Sequence, residues 1–315
     1  MKEDRRAPRR GVIIGRFMPP HAGHRYLIDF ASRYVDELYV LVCTLSSEPI
    51  PGTLRWEWVR AMFPGTQVLH VTEEIPEASR DNPGAIQIWA DWIRAVVDED
   101  VGFVFASEDY GWELAEALNA SYVPVDPARS EYPVSASAVR KDPMGYWEYI
   151  PQVVRPFFVK RVSVVEAPGG SAGDGNSLAG ALAARLQTLR IRDYYAYWKE
   201  LGKRVEDPEE IARAQRAGEY SLAKTANRIL ICEADPLQNA VRWERDHGTG
   251  VSVNHEDLRS YNLILVSNPA SAPTAEGRSY LEAVVRRLGE LHAPYRIVDP
   301  DALDDAEAAV RELLS

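Results

Sequence analysis

Two histidines, an arginine and two glycines share one short segment near the start of the chain. Residues 15–24 read Gly-Arg-Phe-Met-Pro-Pro-His-Ala-Gly-His and lie between a strand-like apolar run and an apolar-periodic run that predicts a helix. A helix N-terminus offers free backbone N–H groups and the positive end of the helix dipole, which favour phosphate binding. Because His21 and His24 are three residues apart, we expect both imidazoles to face the same ligand.

A second segment of similar chemical character lies much further along the chain. Residues 135–140 read Ser-Ala-Ser-Ala-Val-Arg. Ser137 can donate to a phosphate oxygen, and the planar guanidinium of Arg140 can clamp two phosphates. A serine that caps a helix beside an exposed arginine would give the same pattern. The histidine motif in the same chain favours the phosphate interpretation.

The hydrophobic pattern predicts the elements that would bring these residues together. Predicted strands at 11–14, 38–44, 68–71, 103–106 and 122–125 alternate with predicted helices at 24–33, 55–62, 85–97 and 111–118. This alternation is typical of a parallel sheet covered by helices. Ligands of such open sheets bind beyond the carboxyl ends of the strands, where the histidine motif would lie.

A second α/β series follows a segment rich in proline and aromatic residues. Its predicted strands lie at 160–166, 228–233, 263–266 and 295–298, with one helix ending at residue 186 and others at 209–226 and 279–292. We therefore predict two α/β domains, at 1–158 and 159–315, with residues 1–10 as a disordered tail. Residues 146–151 are too apolar for a solvated tether, so we expect a packed connector there.

Composition argues against several classes of function. The net charge of -11 is unfavourable for a general binder of nucleic acids or anionic membranes, since both need basic surface. Two cysteines in different halves of the chain indicate a reducing compartment. The sequence shows neither a secretory signal nor a run of about 18 apolar residues. We expect a cytoplasmic protein without a membrane partner, and the sequence leaves homo-oligomer formation open.

The two motifs also resemble those of a known family. Residues 15–24 match G-[RK]-F-x-P-x-H-x-G-H, residues 135–140 match S-x-[ST]-x-x-R, and further matching strings lie at 41–43, 48–52, 105–111, 124–129 and 149–161. Through these strings, residues 11–160 resemble the adenylyltransferase domain of the NadR-like bifunctional nicotinamide-nucleotide adenylyltransferase/ribosylnicotinamide kinases. The resemblance implies an N-terminal Rossmann-like nucleotidylyltransferase domain followed by a P-loop kinase-like α/β domain.

The resemblance further implies adenylyl transfer. The 5′-phosphate of nicotinamide mononucleotide would attack the α-phosphorus of ATP, which enters with Mg²⁺, and the products would be NAD and pyrophosphate. Because the nucleophile is already an anion near neutral pH, no general base is required. Catalysis then depends on aligning two polyanions and stabilising charge on the bridging and leaving oxygens. We assign no residue of the chain as a metal ligand.

The same resemblance assigns residues to ATP. His21 and His24 would contact the triphosphate, with His24 at the α-phosphate, while Arg16 and Arg140 would neutralise the phosphates. We expect these four residues to carry catalysis. Gly15 would let the backbone approach the nucleotide closely. The remaining members of the predicted ATP-binding set are Phe17, Ser135 and Ser137.

A second set of residues is assigned to the mononucleotide. Arg55 would contact a phosphate, although an exposed helix charge explains this arginine equally well. An aromatic face suits the cationic nicotinamide ring. The candidates for stacking are Phe17 and one of the pair Trp89 and Trp92, the other tryptophan belonging to the core. The candidates for the ribose hydroxyls are Glu108, Asp109 and Tyr110, whose acids could instead cap a helix.

The loop expected to bind phosphate in the second domain departs from the family pattern. The P-loop G-x-x-x-x-G-K-[ST] aligns with Gly170, Gly175, Asn176 and Ser177, so asparagine stands where lysine is expected. Shifting the alignment by one residue places Gly175 there, and Asp174 adds a negative charge. Loss of one charged donor typically costs about 3 kcal/mol of transition-state stabilisation. We therefore predict that ribosylnicotinamide kinase activity is lost or weak.

Three alternatives stay open on the sequence alone. The first is adenylyl transfer to a different mononucleotide, and the second is a bifunctional enzyme whose kinase uses an unusual cation. The third is a regulator, since some family members carry an N-terminal helix-turn-helix and repress transcription. Ten residues before the first predicted strand are too few for such a domain, and the net charge is unfavourable. We therefore expect no nucleic-acid partner.

Overall fold

The computed structural model describes residues 8–75, 83–97, 100–168, 177–253 and 255–314. Two compact units divide the chain, Met1–Val154 and Arg155–Ser315. Each unit contains a five-stranded sheet whose paired strands all run parallel. The predicted α/β class with a parallel sheet in each half is confirmed.

The sheet of the first unit has the strand order β3-β2-β1-β4-β5. Its strands are β1 (Arg10–Gly15), β2 (Glu37–Cys43), β3 (Gln67–Val71), β4 (Phe103–Ala106) and β5 (Ser121–Pro124). The central strand β1 is covered on both faces, and its Val12 and Ile13 are fully buried. The strand order reverses at β1, which opens a crevice at the carboxyl ends of β1 and β4.

Helices cover both faces of this sheet. They are α1 (Ala22–Tyr34), α2 (Gly52–Met62), α3 (Pro83–Val96), α4 (Tyr110–Leu118) and α5 (Ala136–Lys141), with a 3-10 turn at Trp147–Tyr149. Ile28 of α1 and Val59 of α2 pack with Ile13 in one apolar cluster. Ile93 of α3 and Leu114 of α4 belong to a second cluster with Val12. The two clusters hold β1, and hence the start of the histidine motif, from opposite sides.

The second unit has the strand order β10-β9-β6-β8-β7. Its strands are β6 (Lys160–Val165), β7 (Leu189–Ile191), β8 (Ile229–Cys232), β9 (Leu263–Ser267) and β10 (Arg296–Val298). Its helices are α6 (Arg155–Phe158), α7 (Leu178–Arg185), α8 (Tyr194–Glu200), α9 (Pro208–Ala223), α10 (Pro236–His247), α11 (His255–Arg259), α12 (Ala275–Glu290) and α13 (Leu303–Arg311). Short 3-10 turns occur at Pro269–Ser271 and Glu312–Leu314.

Most element predictions lie within a few residues of the structure. The edge strand β7 and the helices α6, α8, α10, α11 and α13 were not predicted. The division between the two units falls after Val154, four residues before the predicted domain boundary at 158. Trp147 and Ile150 are each 1% exposed, in keeping with a packed connector.

Two further findings concern the ends and surfaces of the chain. Residues 1–7 lie outside the described ranges, so the predicted disordered tail stays a prediction for them.

Among the helices that the structure describes, none is both long and apolar enough to span a bilayer.

Candidate active site

A cavity of about 350 Å³ lies at the carboxyl ends of β1, β2 and β4. Its lining includes both predicted phosphate motifs, although they are far apart in sequence. The predicted residues that line it are Gly15, Arg16, Phe17, His21, His24, Trp89, Glu108, Tyr110, Ser135, Ser137 and Arg140. The parallel sheet therefore brings together all the residues that the sequence assigned to ATP and several of those that it assigned to the mononucleotide.

The two motif histidines form a close, tilted ring pair at the start of α1. His21 is the N-cap residue, and its backbone N–H donates to Nδ1 of His24 at 3.3 Å. The ring centroids are 3.8 Å apart. Because Nδ1 of His24 accepts a hydrogen bond, the proton of its neutral ring lies on Nε2, where it can be donated.

Burial makes both imidazoles neutral at pH 7. Burial, and then the charge of Arg129, lowers the pKa of His21 to about 4. Burial, with smaller contributions from His21 and Arg129, lowers the pKa of His24 well below its usual value. Nδ1 of His21 is buried and accepts or donates no hydrogen bond within the described residues. The pair can therefore serve a phosphate as hydrogen-bond donors without first carrying a charge.

Close backbone packing explains the first glycine of the motif. Phe17 has φ 49°, in the left-handed region, and its ring lies over Gly15. A Cβ atom at position 15 would lie 3.1 Å from Cε2 of that ring. The ring is 2% exposed, packs in the core and has its centroid 5.0 Å from that of His24. Phe17 thus packs beside His24 in the wall of the cavity.

The serine and arginine motif caps α5 and reaches the histidine motif. Oγ of Ser135 accepts the backbone N–H of Ala138 at 3.1 Å and lies 3.0 Å from Oγ of Ser137. The guanidinium of Arg140 donates to the backbone carbonyl of Met18. The helix-cap interpretation is confirmed for Ser135, and Arg140 lines the cavity, where its phosphate contact stays a prediction.

Arg55 neither lines the cavity nor lies exposed on its helix, so its predicted contact with the mononucleotide is not supported, and the alternative of an exposed helix charge is wrong. The side chain is fully buried. Its Nε donates to the carbonyl of Ile50 and Nη1 to that of Cys43, each at 3.0 Å. Nη1 also donates to the carbonyl of Arg16, and Nη2 to the carboxylate of Glu48. These internal acceptors, which a helix-surface interpretation could not foresee, occupy the guanidinium.

The aromatic and acidic candidates separate in a similar way. Trp89 lines the cavity, whereas Trp92 packs beside it, edge to face, and does not. Asp109, which precedes α4, also lies outside the lining. The hydroxyl of Tyr110 donates to the carbonyl of Ile14 at 2.8 Å, at the end of β1. The predicted mononucleotide contacts of Trp92 and Asp109 are therefore not supported.

Several lining residues were missed by the site prediction. They include Thr44, Glu48, Asp126, Arg129 and Tyr132. Asp126 accepts the backbone N–H groups of residues 130–132, which bends the loop so that Arg129 and Tyr132 reach the cavity. The string 124–129 was one of those that carried the family resemblance, so a signal was present at this loop.

Comparisons with known proteins point to one family. No protein-family model matches the chain. The chain is 28% identical over 250 residues to the trifunctional NAD biosynthesis/regulator protein NadR of Escherichia coli strain K12, covering 71% of this chain and 60% of the relative. The NadR of Salmonella typhimurium is 28% identical over 256 residues, covering 73% of this chain and 61% of that relative. The chain thus spans about three fifths of the length of these relatives.

Solved structures give the same result for the fold. A crystal structure of NadR with NAD and AMP-PNP matches with a TM-score of 0.73 at 19% identity, covering 98% of this chain and 96% of that one. A crystal structure of NadR with NR matches with a TM-score of 0.72 at 20% identity, covering 97% and 95%. The chain is similar to NadR in sequence and shares its fold.

The second unit of this NadR-like chain contains its own cavity, of about 620 Å³. Ser177, the last residue of the predicted P-loop, lines it and caps α7 by accepting the backbone N–H of Gly180 at 3.1 Å. The other predicted loop residues, Gly170, Gly175 and Asn176, lie outside the described residues.

A carboxylate of the chain itself occupies the start of α7. The two oxygens of Glu166, which follows β6, accept the backbone N–H groups of Leu178 at 2.9 Å and Ala179 at 3.3 Å. Burial raises the pKa of Glu166. Together with the hydroxyl of Ser177, this side chain satisfies the N–H groups that a phosphate would use at the helix N-terminus.

Acidic residues outnumber basic ones around this second cavity. Its described lining contains seven acids, namely Glu166, Asp193, Glu200, Glu233, Asp246, Glu276 and Asp301, and four bases, namely Arg192, Lys199, Arg242 and Arg245. Asp193 forms an ion pair with Arg242. Nη1 of Arg190 lies 3.3 Å from Oγ of Ser177, but it also pairs with Glu233 at 2.5 Å. The described part of this lining therefore carries more acidic than basic side chains.

Proposed function

We propose that the chain transfers the adenylyl group of ATP to nicotinamide mononucleotide and forms NAD and pyrophosphate. The observation that carries this proposal is the convergence of Arg16, His21, His24 and Arg140 on one cavity at the carboxyl edge of the first sheet. The names of the curated relatives supply the connection to NAD biosynthesis, and a NadR crystal structure was solved with NAD. The substrates are therefore ATP and a pyridine mononucleotide.

The chemical step follows from the charges at this cavity. An oxygen of the mononucleotide phosphate forms a bond to the α-phosphorus of ATP, and the bond from that phosphorus to the pyrophosphate oxygen breaks. Arg16 and Arg140 stabilise the negative charge that moves onto pyrophosphate. The neutral His24 donates through Nε2 to an oxygen of the α-phosphate, and His21 donates beside it. A side-chain base is not required, because the attacking phosphate is already ionised.

Magnesium enters this scheme with ATP. Among the described residues, no group of three or more histidine, cysteine, aspartate or glutamate side chains could hold a metal ion. Mg²⁺ commonly binds substrate phosphates and keeps several water ligands, so the donor set here fits an ion carried by ATP. When bound, it supplies partial neutralisation of the phosphate oxygens.

The pyridine ring belongs at the aromatic end of the same cavity. The indole of Trp89, held by its edge-to-face contact with Trp92, is the aromatic group that we assign to the cationic nicotinamide ring. Phe17 remains the second candidate, since it also lines the cavity and is about as buried as Trp89, at 2% against 3% exposed, but its ring packs against His24. Glu108 lines the cavity and is the acid that we retain for the ribose hydroxyls.

The ribosylnicotinamide kinase activity of the second unit is lost or weak in this proposal. Asn176 replaces the expected lysine, and Glu166 occupies the backbone donors at the start of α7. A phosphate at the start of α7 would lie close to the Glu166 carboxylate. Repulsion between the two negative groups would weaken phosphate binding. One observation favours residual activity, namely the position of Arg190 beside Ser177, where it also pairs with Glu233.

A product assay tests both parts of the proposal. The purified full chain is incubated with Mg-ATP and either nicotinamide mononucleotide, nicotinate mononucleotide or nicotinamide riboside, and the nucleotide products and pyrophosphate are quantified. We expect NAD and pyrophosphate in equal amounts from nicotinamide mononucleotide and at most traces of product from the riboside. Rapid phosphorylation of the riboside would contradict the loss of kinase activity. Inactivity with both mononucleotides would favour another acceptor.

A further inference from the structure

Arg55 is fully buried, yet its donors point toward the histidine motif. Its guanidinium binds the backbone carbonyls of Arg16, Cys43 and Ile50 and the carboxylate of Glu48. These carbonyls come from the loop after β1, the end of β2 and the residues before α2. Arg55 thus fastens the first part of the motif to the neighbouring strand end.

Glu48 continues this connection into the cavity. Its side chain is 5% exposed, and one carboxylate oxygen binds Arg55 and accepts the backbone N–H of Leu45 at 3.0 Å. The other oxygen lies 3.4 Å from Nε of Arg16 and accepts no hydrogen bond within the described residues. Both Glu48 and Arg16 line the cavity. Arg16 is therefore held at two points, its carbonyl by Arg55 and its side chain by Glu48.

We propose that Arg55 and Glu48 are positioning residues that fix the guanidinium of Arg16 for the triphosphate. The inference rests on the proposed function, in which Arg16 binds phosphate. A long arginine side chain loses about 2 kcal/mol of rotamer freedom when it is ordered. An arginine that is already held in the ligand-free protein has lost this freedom beforehand, so binding costs less.

Stability alone is a weak explanation for this arrangement. A buried ion pair is often no more stable than well-packed apolar side chains of the same volume. Two apolar side chains could fill the space beside α2. They could neither donate to the carbonyl of Arg16 nor form an ion pair with the Nε of Arg16. A lysine at position 55 would also fail, because an ammonium group cannot reach four oxygens that diverge from one planar guanidinium.

The test is a double-mutant cycle between Glu48 and Arg16. Inorganic tripolyphosphate is titrated into the full chain by calorimetry, for wild type, Glu48→Asp, Arg16→Met and the double variant. Glu48→Asp keeps the charge but draws the carboxylate back from Arg16. We expect it to weaken binding about tenfold when Arg16 is present and less than about twofold when Arg16 is replaced. Equal losses in both backgrounds, or no loss in either, would overturn the positioning role.

A matched control and a second variant protect the test from effects on folding. Glu37→Asp alters another ion pair of the first unit, the Arg10–Glu37 pair at 2.5 Å, which does not line the cavity. It should leave tripolyphosphate affinity unchanged. Circular dichroism checks that each variant is folded. If Glu48→Asp does not fold, Glu48→Gln enters the same cycle, since its amide oxygen can still accept from Arg55 but no longer attracts Arg16.

Kinetics separate this inference from the proposed function. In adenylyl transfer, Glu48→Asp should raise the KM for ATP and leave the KM for the mononucleotide unchanged, whereas a merely structural defect would lower the amount of active protein. If wild type forms NAD but the binding cycle is additive, only the positioning role fails. If wild type forms no NAD but the cycle is non-additive, the proposed function fails and the positioning role stands. A wild type that does not bind tripolyphosphate overturns the positioning role.

Discussion

The imidazole rings of His21 and His24 lie 3.8 Å apart with an angle of 33° between their planes. Two charged rings at this distance would repel each other, and both lie within the field of Arg129. The neutral pair instead forms an internal hydrogen bond from the backbone N–H of His21 to His24. The first consequence is a characteristic dependence of stability on pH.

We expect the free energy of unfolding to rise with pH between about 4 and 6.5. The pKa of His21 is about 4 in the folded protein, below its usual value of 6.5, so the unfolded chain binds more protons in this window. The stabilisation is present above pH 6.5 and is lost as the pH falls toward 4, by up to about 1.4 kcal/mol per pH unit for each histidine. Urea unfolding at several pH values measures this slope.

The variant His21→Asn should flatten that slope. A control is His255→Asn, which removes an exposed histidine of α11. The control should keep the wild-type dependence on pH. An unchanged slope in His21→Asn would show that His21 is not held neutral by its surroundings.

Loss of a phosphate donor should reduce adenylyl transfer strongly. His24→Ala and Arg140→Met each remove one group that we place on the triphosphate, so kcat/KM should fall by at least about a hundredfold. The measurement is initial-rate kinetics with both substrates varied. Arg33→Met provides the control, because this arginine of α1 is 79% exposed and pairs weakly with Asp29 at 3.9 Å. A decrease of less than about threefold in His24→Ala would remove it from the catalytic set.

The hydroxyl of Tyr110 distinguishes a structural role from a ribose contact. It donates to the carbonyl of Ile14, so Tyr110→Phe should lower the free energy of unfolding by about 1 kcal/mol. The KM for the mononucleotide should stay within about twofold of wild type. Tyr34→Phe, at an exposed ring of α1, is the matched control. A large rise in KM without loss of stability would restore the ribose contact predicted from the sequence.

Kinase activity should return only when two residues are changed together, namely Asn176, which stands in place of the expected lysine, and Glu166, which occupies the start of α7. Asn176→Lys supplies the expected charge, but Glu166 still binds Leu178 and Ala179 at the start of α7. The double variant Asn176→Lys/Glu166→Gln should therefore phosphorylate nicotinamide riboside faster than either single variant. Glu276→Gln, at a more exposed acid of the same cavity, is the control. Full activity in Asn176→Lys alone would show that Glu166 does not obstruct phosphate.

The sequence predicted the sheet well because the strands carry their own signal. The run at β1 is apolar on both faces, as a central parallel strand requires. The strand β7 was missed because it is short and two of its three residues are only partly buried. Its place at the sheet edge depends on pairing with β8, which local pattern does not reveal.

In the candidate site too, residues within sequence motifs were predicted, whereas residues placed by contacts between distant segments were not. Motif spacing predicted that His21, His24 and Arg140 meet at one site, and all three line one cavity. The burial of Arg55 was not foreseen because its partners include carbonyls of three separate segments, and no pattern around α2 indicates that they converge. Arg129 was missed because its loop reaches the cavity through hydrogen bonds to Asp126.

The fate of the α-phosphate tests the central claim most directly. The full chain is incubated with nicotinamide mononucleotide and Mg-ATP labelled in either the α- or the γ-phosphate, and the labelled products are separated. Adenylyl transfer predicts that the α label appears in NAD and the γ label in pyrophosphate, with both signals at least about a hundredfold lower in His24→Ala. Transfer of the γ label to an organic product, or absence of the α label from NAD, would contradict the account.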